Sequence, residues 1–273
     1  MYLSMSFIIA YVFRKLFYNK RSKNMTGIIL NTTFTNKDLP SDLSFKDQIL
    51  AIPSFNKWYQ ADSSHTTATG VSIDSMNDVA GSAVKFESTS ANKAELVDSL
   101  ISGYSGASFG AGATANTMLY SSSFDSSAAW TIFMAIRNND ISVNNQTVLS
   151  QFTSASNKLL CQFKDTAVVT MSQGDRGLSV PCYESEWLWV GFSYDGIDKL
   201  TVYSSTDTTK QVITATVASN VAGMVLGNLT ALQVSQPLLH ADVSDIIFFS
   251  DNILETQSEK VVEGYFSSVY GIG

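Results

Sequence analysis

The second half of the chain alternates short apolar runs with polar turns, at intervals of roughly ten residues. From Met118 onwards the runs are rich in Val, Ile, Thr, Phe, Tyr and Trp. They read MLYSSSF, WTIFMAIR, QTVLSQF, KLLCQFK, AVVTMSQ, WLWVGFSY, KLTVYSS, QVITATVA, GMVLGN and VSDIIFF. Many short strands without intervening helices are typical of an antiparallel sandwich or barrel. The pattern therefore predicts an all-β fold and excludes a parallel α/β fold, which needs crossover helices.

The run WLWVGFSY also predicts which side chains share a face of the sheet. Successive side chains of a strand point to opposite faces. Trp187 and Trp189 should therefore lie on one face, and Leu188 and Val190 on the other. The turns between the runs, such as DGID, TDTT and SNVAG, carry the Gly, Asn and Asp residues that tight turns require.

Two helices are predicted at the borders of the strand region. Thr256 and Glu259 have the spacing of a capping box, and Gly271 is placed to end the helix. Between them lies an apolar face at helical spacing, formed by Val261, Val262, Tyr265, Phe266 and Val269. We expect this C-terminal helix to pack on the edge or end of the sandwich. At the other border, Ser44 can cap a short helix that stops before Pro53.

The chain divides into a leader (1–24), an N-terminal arm (25–54) and the strand region (55–273). In the leader the basic residues follow the apolar run and no small-residue cleavage site is present, unlike a secretory signal. Its apolar stretch of about 13 residues is shorter than the ~20 that span a bilayer. We therefore interpret Met25 as the natural start and predict no membrane span. The alternative is an amphipathic segment that binds a membrane surface or a partner.

The arm contains the strand-like run IILNTTFT, which precedes a break at Pro40. An unpaired apolar strand is a template for pairing with another chain. Ile28, Ile29, Leu30 and Phe34 are the side chains available for burial in such a contact. We therefore predict that the arm is an assembly element and that the protein forms a homo-oligomer. The alternative is that the arm adds an edge strand to its own domain.

Composition and charge narrow the range of partners. Charged residues make up only 15% of the chain, whereas 39 serines and 23 threonines supply most of its polarity. All residues after position 24 carry 12 basic and 24 acidic groups, a net charge of −12. Such a surface repels phosphate backbones, so no nucleic-acid partner is expected. Two cysteines exclude a disulfide scaffold, and we expect Cys161 and Cys182 to be buried free thiols, with a disulfide as the alternative.

Five segments, taken in order, carry a family resemblance. They are ADSSHTTATGVSIDSMNDVAG (61–81), ASFGAGATANTMLY (107–120), WTIFMAIRN (130–138), WLWVGFSYDGIDKLTVY (187–203) and ADVSDIIFFSDNILETQSEKVVEGYFSSVYGI (241–272). The series resembles concanavalin-A-like (laminin-G-like) jelly-roll domains over residues 55–272. Met76 replaces the family's usual Trp, and Asp245 its usual Glu. The resemblance implies a jelly-roll sandwich, with Phe109 in the core, of a kind frequent in bacterial surface proteins and phage virion proteins as a glycan-binding or structural unit.

Three patterns could indicate an enzyme, and each is incomplete. The nucleophile-elbow pattern G-x-S-x-G occurs at 106–110, but its flanks are Gly/Ser/Ala-rich rather than strand and helix. Glu184 and Glu186 stand at a strand start without the further carboxylate that a jelly-roll glycosidase needs. Asp242 and Asp245 are three apart, which on a regular strand places them on opposite faces. We therefore expect no catalytic activity.

Metal and sugar sites are also weakly indicated. Asp195 and Asp198 could contribute to a structural calcium site, but an Asx-stabilised hairpin turn explains them better. No other metal or cofactor is expected. Tyr104 and Tyr120 lie near loops, where their rings could form a platform for a sugar ligand. The tryptophans lie within strands, where burial is expected.

These observations lead to one hypothesis and one alternative. The hypothesis is a non-catalytic structural or adhesion protein on a phage virion surface, such as a capsid decoration, head fibre or tail-associated module. It would bind other virion proteins and, through a lectin-like domain, host surface glycans. The alternative is a cell-surface or secreted carbohydrate-binding module.

Overall fold

The fold is taken from a computed structural model that describes residues 44–89, 91–110, 117–154, 157–164, 167–215, 221–228 and 239–273. The arm residues Ile28, Ile29, Leu30 and Phe34 lie outside the described residues. The assembly role of the arm therefore stays a prediction.

The described chain forms nineteen strands and two helices. The strands are β1 (Phe55–Gln60), β2 (Thr66–Thr69), β3 (Ser72–Asn77), β4 (Lys85–Ser88), β5 (Glu95–Ile101), β6 (Tyr104–Phe109), β7 (Met118–Tyr120), β8 (Phe124–Asp125), β9 (Trp130–Asn138), β10 (Gln146–Ser154), β11 (Asn157–Lys164), β12 (Val168–Gln173), β13 (Arg176–Pro181), β14 (Trp187–Tyr194), β15 (Lys199–Ser204), β16 (Gln211–Thr214), β17 (Val221–Ala222), β18 (Val225–Leu226) and β19 (Ala241–Phe249). The helices are α1 (Phe45–Leu50) and α2 (Gln257–Tyr270). Among the described residues, no helix is long and apolar enough to cross a membrane.

The strands form two antiparallel layers. The first layer runs β16-β15-β14-β9-β19, and β19 then pairs with β6 through its first half and with β1 through its second half. The second layer runs β2-β3-β4-β7-β18-β10-β11-β12-β13. The predicted all-β antiparallel sandwich is therefore confirmed.

The main core lies between the two layers. It contains Met134 and Val190 from the first layer and Phe86 and Phe163 from the second, all fully buried. Phe109 belongs to the same core, as the family resemblance implies. The alternation predicted for β14 is confirmed, since residues 188, 190, 192 and 194 face this core and Trp189 faces away from it.

A second apolar cluster covers the opposite face of the first layer, which we call the outer face. There Phe133 and Trp189 pack against Val262 and Phe266 of α2, and Ile49 of α1 joins them. Phe133 lies on β9, a central strand of the layer. The expectation that the C-terminal helix packs on the edge or end of the sandwich is therefore wrong: its apolar side covers the middle of a sheet that is buried on both faces.

The ends of both helices follow the sequence signals. Ser44 Oγ accepts a hydrogen bond from the Asp47 amide at the start of α1. Thr256 Oγ1 accepts one from the Ser258 amide at the start of α2, and Gly271 ends α2 with a φ of 69°, in the left-handed region that favours glycine. Residues 44–54, the end of the predicted arm, thus form part of the layer that covers the outer face.

Candidate functional site

A cleft of about 650 Å³ opens where α2 crosses the outer face beside β15. We call it the helix–sheet cleft. Its lining is rich in hydroxyl and charged groups above two aromatic rings, and the polar and aromatic members are Trp189, Tyr203, Ser205, Thr208, Lys210, Glu259, Lys260, Glu263 and Ser267. Such a mixture of a partly apolar floor and convergent polar groups is typical of a ligand-binding site.

Tyr203 and Glu259 form the floor of the cleft, with relative exposures of 1% and 0%. Tyr203 can lie there because its partner across the ladder, on β14, is Gly191. A Cβ atom on Gly191 would stand 2.5 Å from Tyr203 Cε1 and 2.9 Å from Phe133 Cε1. The missing side chain therefore makes the space that the Tyr203 ring occupies.

Glu259 is placed by the first turn of α2. Its Oε2 atom accepts a hydrogen bond from the Glu255 amide, one residue before the amide that a capping box uses. The same oxygen accepts a hydrogen bond from Lys210 Nζ at 2.9 Å. Lys210 Nζ also lies 5.4 Å from the centroid of the Tyr203 ring, so one lysine contacts both floor residues.

Two oxygen atoms at this floor make no hydrogen bond of good geometry within the described part of the protein, although their two side chains lie close enough to act on each other. They are Tyr203 Oη and Glu259 Oε1, and both are buried. A buried polar atom left unpaired costs about 1–3 kcal/mol, and more for a charged group. Seven other buried side-chain atoms of the described residues also lack a partner, and ordered water commonly supplies one to such atoms.

The charge states of the two floor residues follow from their surroundings. Burial raises the pKa of the Tyr203 phenol, and the nearby Glu259 and Glu263 carboxylates raise it further, both through their negative charge and as hydrogen-bond acceptors for the phenol. Burial also raises the pKa of Glu259, but the hydrogen bonds from Lys210 and the Glu255 amide outweigh burial and hold that pKa below its usual value. At neutral pH the floor therefore offers a protonated phenol, which can donate, and an ionised carboxylate, which can accept.

A second polar group on the outer face centres on Asp245, where α2 meets β19. Asp245 is fully buried and accepts hydrogen bonds from Trp58 Nε1 at 2.5 Å, Tyr265 Oη at 3.3 Å and Tyr270 Oη. Burial raises the pKa of Asp245 to about 6, although these hydrogen bonds oppose the shift. The network joins sheet and helix, and its donors are all buried, so we interpret it as structural.

Asp242 lies on the same face as Asp245, and the expectation of opposite faces is wrong. A β-bulge between Val243 and Asp245 inserts one extra residue, so Asp242 pairs with Arg137 and Asp245 with Ala135. Asp242 Oδ2 accepts from Arg137 Nε at 2.8 Å and from an Asn139 amide at 2.9 Å. The Asp242 carboxylate is thus committed to an ion pair rather than placed opposite a second carboxylate.

The two tyrosines proposed as a sugar platform lie in different surroundings. Tyr104 is 47% exposed at the start of β6, and its ring packs edge-on against Tyr270. Tyr120 is half-buried; its ring packs against Phe86 and Phe248 and lines a separate cavity of about 230 Å³. No contact joins the two rings among those that the described residues form, and their role in binding stays a prediction.

The other candidate residues have structural surroundings. Glu184 and Glu186 lie exposed before β14, and Ser185 between them has a φ of 60°, so strand alternation does not apply to them. Ser108 of the G-x-S-x-G pattern lies within the antiparallel strand β6. Asp195 Oδ1 accepts three backbone amides at 2.9 Å, as an Asx-type turn requires. Within the described ranges no group of three potential metal-ligating side chains is present.

The helix–sheet cleft could not be recognised from the sequence. Tyr203 and Glu259 are far apart along the chain, and Lys210 follows a turn that carries no recognisable motif. Two features of the sequence are related to the cleft. One is Gly191 within WLWVGFSY, which leaves space beside the next strand, and the other is Glu259 in the capping box of a helix with an apolar face. Neither shows where the helix docks.

Comparisons with known proteins show the fold alone. No family model and no curated protein matches this sequence. Among solved structures, the botulinum neurotoxin serotype D binding domain is similar with a TM-score of 0.54 and 12% identity over 78% of this chain. A Trypanosoma rangeli sialidase in complex with sialic acid is similar with a TM-score of 0.53 and 8% identity over 80% of this chain. The chain spans 51% of the first and 33% of the second, so the likeness covers only part of each of those proteins.

Proposed function

We propose that this protein is a non-catalytic adhesion module whose β-sandwich binds carbohydrate through the helix–sheet cleft. The observation that carries the proposal is the helix–sheet cleft itself, whose lining combines hydroxyl and charged side chains with two aromatic rings. Saccharides present many hydroxyl groups, each of which both donates and accepts a hydrogen bond. A sugar is therefore the ligand class that the lining satisfies best.

The similar solved structures also support the proposal of carbohydrate binding. The botulinum neurotoxin D domain is a receptor-binding domain, and the sialidase holds sialic acid. This chain has the same type of fold, and its motif series resembles concanavalin-A-like domains. We therefore propose a lectin-like role for the sandwich, with Tyr104 and Tyr120 as further candidate contacts outside the cleft.

The proposed place of action is a phage virion surface, where the protein would be a decoration, fibre or tail-associated component. The hydroxyl-rich surface, the net negative charge after residue 24 and the strand-like arm support this location. Finding the chain at a fixed copy number in purified virions would support it. Finding the protein at the cell surface or among secreted proteins, and not in virions, would favour the alternative, a cell-surface or secreted carbohydrate-binding module.

The proposed assembly role of the arm has its own test. Deleting residues 25–43 leaves the Ser44 cap and α1 in place. We expect the deletion to abolish oligomerisation or virion incorporation while the melting temperature of the sandwich stays unchanged. Loss of folding would instead indicate that the arm is a strand of its own domain.

The binding and non-enzyme proposals are tested together on a glycan array. The purified protein should bind a restricted set of glycans and leave them intact on prolonged incubation. Cleavage of a polysaccharide by the wild type, lost in Glu184→Gln or Glu186→Gln, would contradict the non-catalytic proposal. Absence of binding to every glycan would contradict the carbohydrate-binding proposal.

A further inference from the structure

We infer that α2 is anchored to the outer face by a proton-dependent ring of Asp245, Tyr265 and Tyr270, which holds the helix more tightly in weakly acidic than in neutral solution. We call the state with α2 on the sheet closed and the state with α2 released open. Because α2 forms one wall of the helix–sheet cleft, the open state lacks that cleft. The inference does not depend on carbohydrate binding, so either can fail without the other.

The helix α2 can leave the sheet without opening the main core. It follows β19 after residues 250–256. None of the residues of α2 belongs to the main core between the two layers, whereas Val262, Tyr265 and Phe266 belong to the separate cluster on the outer face. Parts of a protein that form separate cooperative units open before the whole molecule unfolds. We therefore expect α2 to open while the β-sandwich stays folded.

Three side chains form a closed ring of hydrogen-bonding oxygens, which we call the anchor ring. Tyr265 Oη lies 3.3 Å from Asp245 Oδ1 and 3.2 Å from Tyr270 Oη, and Tyr270 Oη in turn contacts Asp245 Oδ2. When Asp245 is ionised, both phenols donate to it, and Gln60 Nε2 donates to both phenol oxygens at 3.2 Å. When Asp245 is protonated, it can donate to Tyr270, Tyr270 to Tyr265, and Tyr265 back to Asp245. The anchor ring therefore accommodates the added proton without losing a contact.

The ionised form of the anchor ring is a buried charge without a cation. All three side chains are 4% exposed or less. The other groups that bind the Asp245 carboxylate are the neutral donors Trp58 of β1 and Ser244 of β19. Arg137 of the adjacent strand β9 is paired with Asp242 instead, and no cation of the described residues forms an ion pair with Asp245. Burial of an uncompensated carboxylate favours its neutral form.

The remaining titratable groups around the anchor ring do not change charge between pH 5 and pH 7 or lie elsewhere. Burial raises the pKa of Tyr265 and of Tyr270, and the Asp245 charge raises both further, so the two phenols stay protonated. Tyr104 of β6 packs edge-on against the ring of Tyr270. The charged side chains of α2 line the helix–sheet cleft, and they are Glu259, Lys260 and Glu263. Asp245 is therefore the group of the anchor ring that titrates in this range.

Protonation of Asp245 favours the closed state. Burial raises the pKa of Asp245 to about 6 in the closed state, whereas exposure in the open state returns it to the ordinary value of 3.8. The proton is therefore bound more tightly when α2 is closed. This contribution is complete below about pH 4 and is lost as the pH rises through 6. With these two pKa values, the equilibrium constant for opening of α2 increases about tenfold between pH 5 and pH 7.

Native-state hydrogen exchange of the full chain measures this opening constant. The amides of Tyr265 and Phe266 are followed by NMR at pH 5 and pH 7, and each rate is divided by the rate of the same amide in an unfolded chain. We expect the opening constant to be about tenfold larger at pH 7 and, at both pH values, larger than that of amides in β11 and β12 of the second layer. Equal constants at the two pH values, or equal constants in α2 and in these strands, would overturn the inference.

Two carboxylate variants test whether Asp245 is the group that titrates. Asp245→Asn should make the opening constant of α2 independent of pH between 5 and 7. Asp98→Asn, which changes an exposed carboxylate of β5, is the matched control and should keep the tenfold dependence. A dependence that persists in Asp245→Asn, or that vanishes in Asp98→Asn, would show that another group is responsible and would overturn the inference.

Two further measurements separate titration from a loss of packing. Trp58 Nε1 can only donate, and its hydrogen bond is stronger to a carboxylate than to a neutral carboxyl group. Trp58→Phe should therefore move the midpoint of the pH dependence above that of the wild type, and an unchanged midpoint would contradict the role of the anchor ring. In the wild type, the side-chain carboxyl ¹³C signal of Asp245 should titrate with a midpoint near pH 6. A midpoint at the ordinary value of an aspartate would overturn the inference without any variant.

Discussion

Asp245→Asn should change how the stability of the protein depends on pH, because Asp245 is a carboxylate buried between β19 and α2. It accepts four hydrogen bonds, from Trp58, Ser244, Tyr265 and Tyr270. Asparagine has the same shape but no charge. The substitution therefore removes the titration of the site and leaves most of its packing in place.

The magnitude follows from the pKa of Asp245, which burial raises from 3.8 to about 6. Each pKa unit corresponds to about 1.4 kcal/mol, so the shift corresponds to about 3 kcal/mol. Between pH 4 and pH 6 the folded protein binds a proton at Asp245 more tightly than the unfolded chain does. This contribution to stability is complete below pH 4 and is lost as the pH rises through 6.

The assay is urea unfolding of the wild type and Asp245→Asn, followed by tryptophan fluorescence at several values between pH 4 and pH 7. The wild-type advantage over Asp245→Asn should shrink by about 3 kcal/mol across this range. Asp74→Asn is the control: hydrogen bonds from Lys93 and Thr69 lower the pKa of the partly exposed Asp74, so its titration lies below pH 4 and the wild-type advantage over this variant should change little across the range. An advantage over Asp245→Asn that stays constant, or that grows as the pH rises, would refute the reasoning.

Three further predictions concern packing, a turn and the thiols. Gly191→Ala places a methyl group 2.5 Å from Tyr203 Cε1 and should lower the free energy of unfolding in urea by about 1–3 kcal/mol; an unchanged midpoint would mean that the ring has room to move. Asp195→Ala removes the acceptor for three amides and should lower the free energy of unfolding by about 1 kcal/mol, whereas Asp195→Asn should lower it less. Because these amides occupy the carboxylate, calcium should not raise the melting temperature of the wild type. Cys161 and Cys182 are buried free thiols, and burial raises the pKa of Cys182 to about 11. A thiol reagent should therefore react with both only after the protein is unfolded in urea. Rapid reaction of the folded protein would contradict their burial.

The strand pattern could be predicted because side-chain alternation is a local property of an extended backbone. In WLWVGFSY the order of residues alone separates Leu188 and Val190 from Trp189, and the structure confirms the two faces. The helix caps at Ser44 and Thr256 are equally local, since each cap bonds an amide two or three residues away.

The outer face could not be predicted, because it depends on contacts between distant elements. The bulge after Val243 arises where β19 changes partner from β6 to β1, and no feature of the run VSDIIFF reveals that change. It turns Asp245 towards α2, where Trp58 and two tyrosines bind it. The position of α2 then decides that Glu259 meets Lys210 and Tyr203.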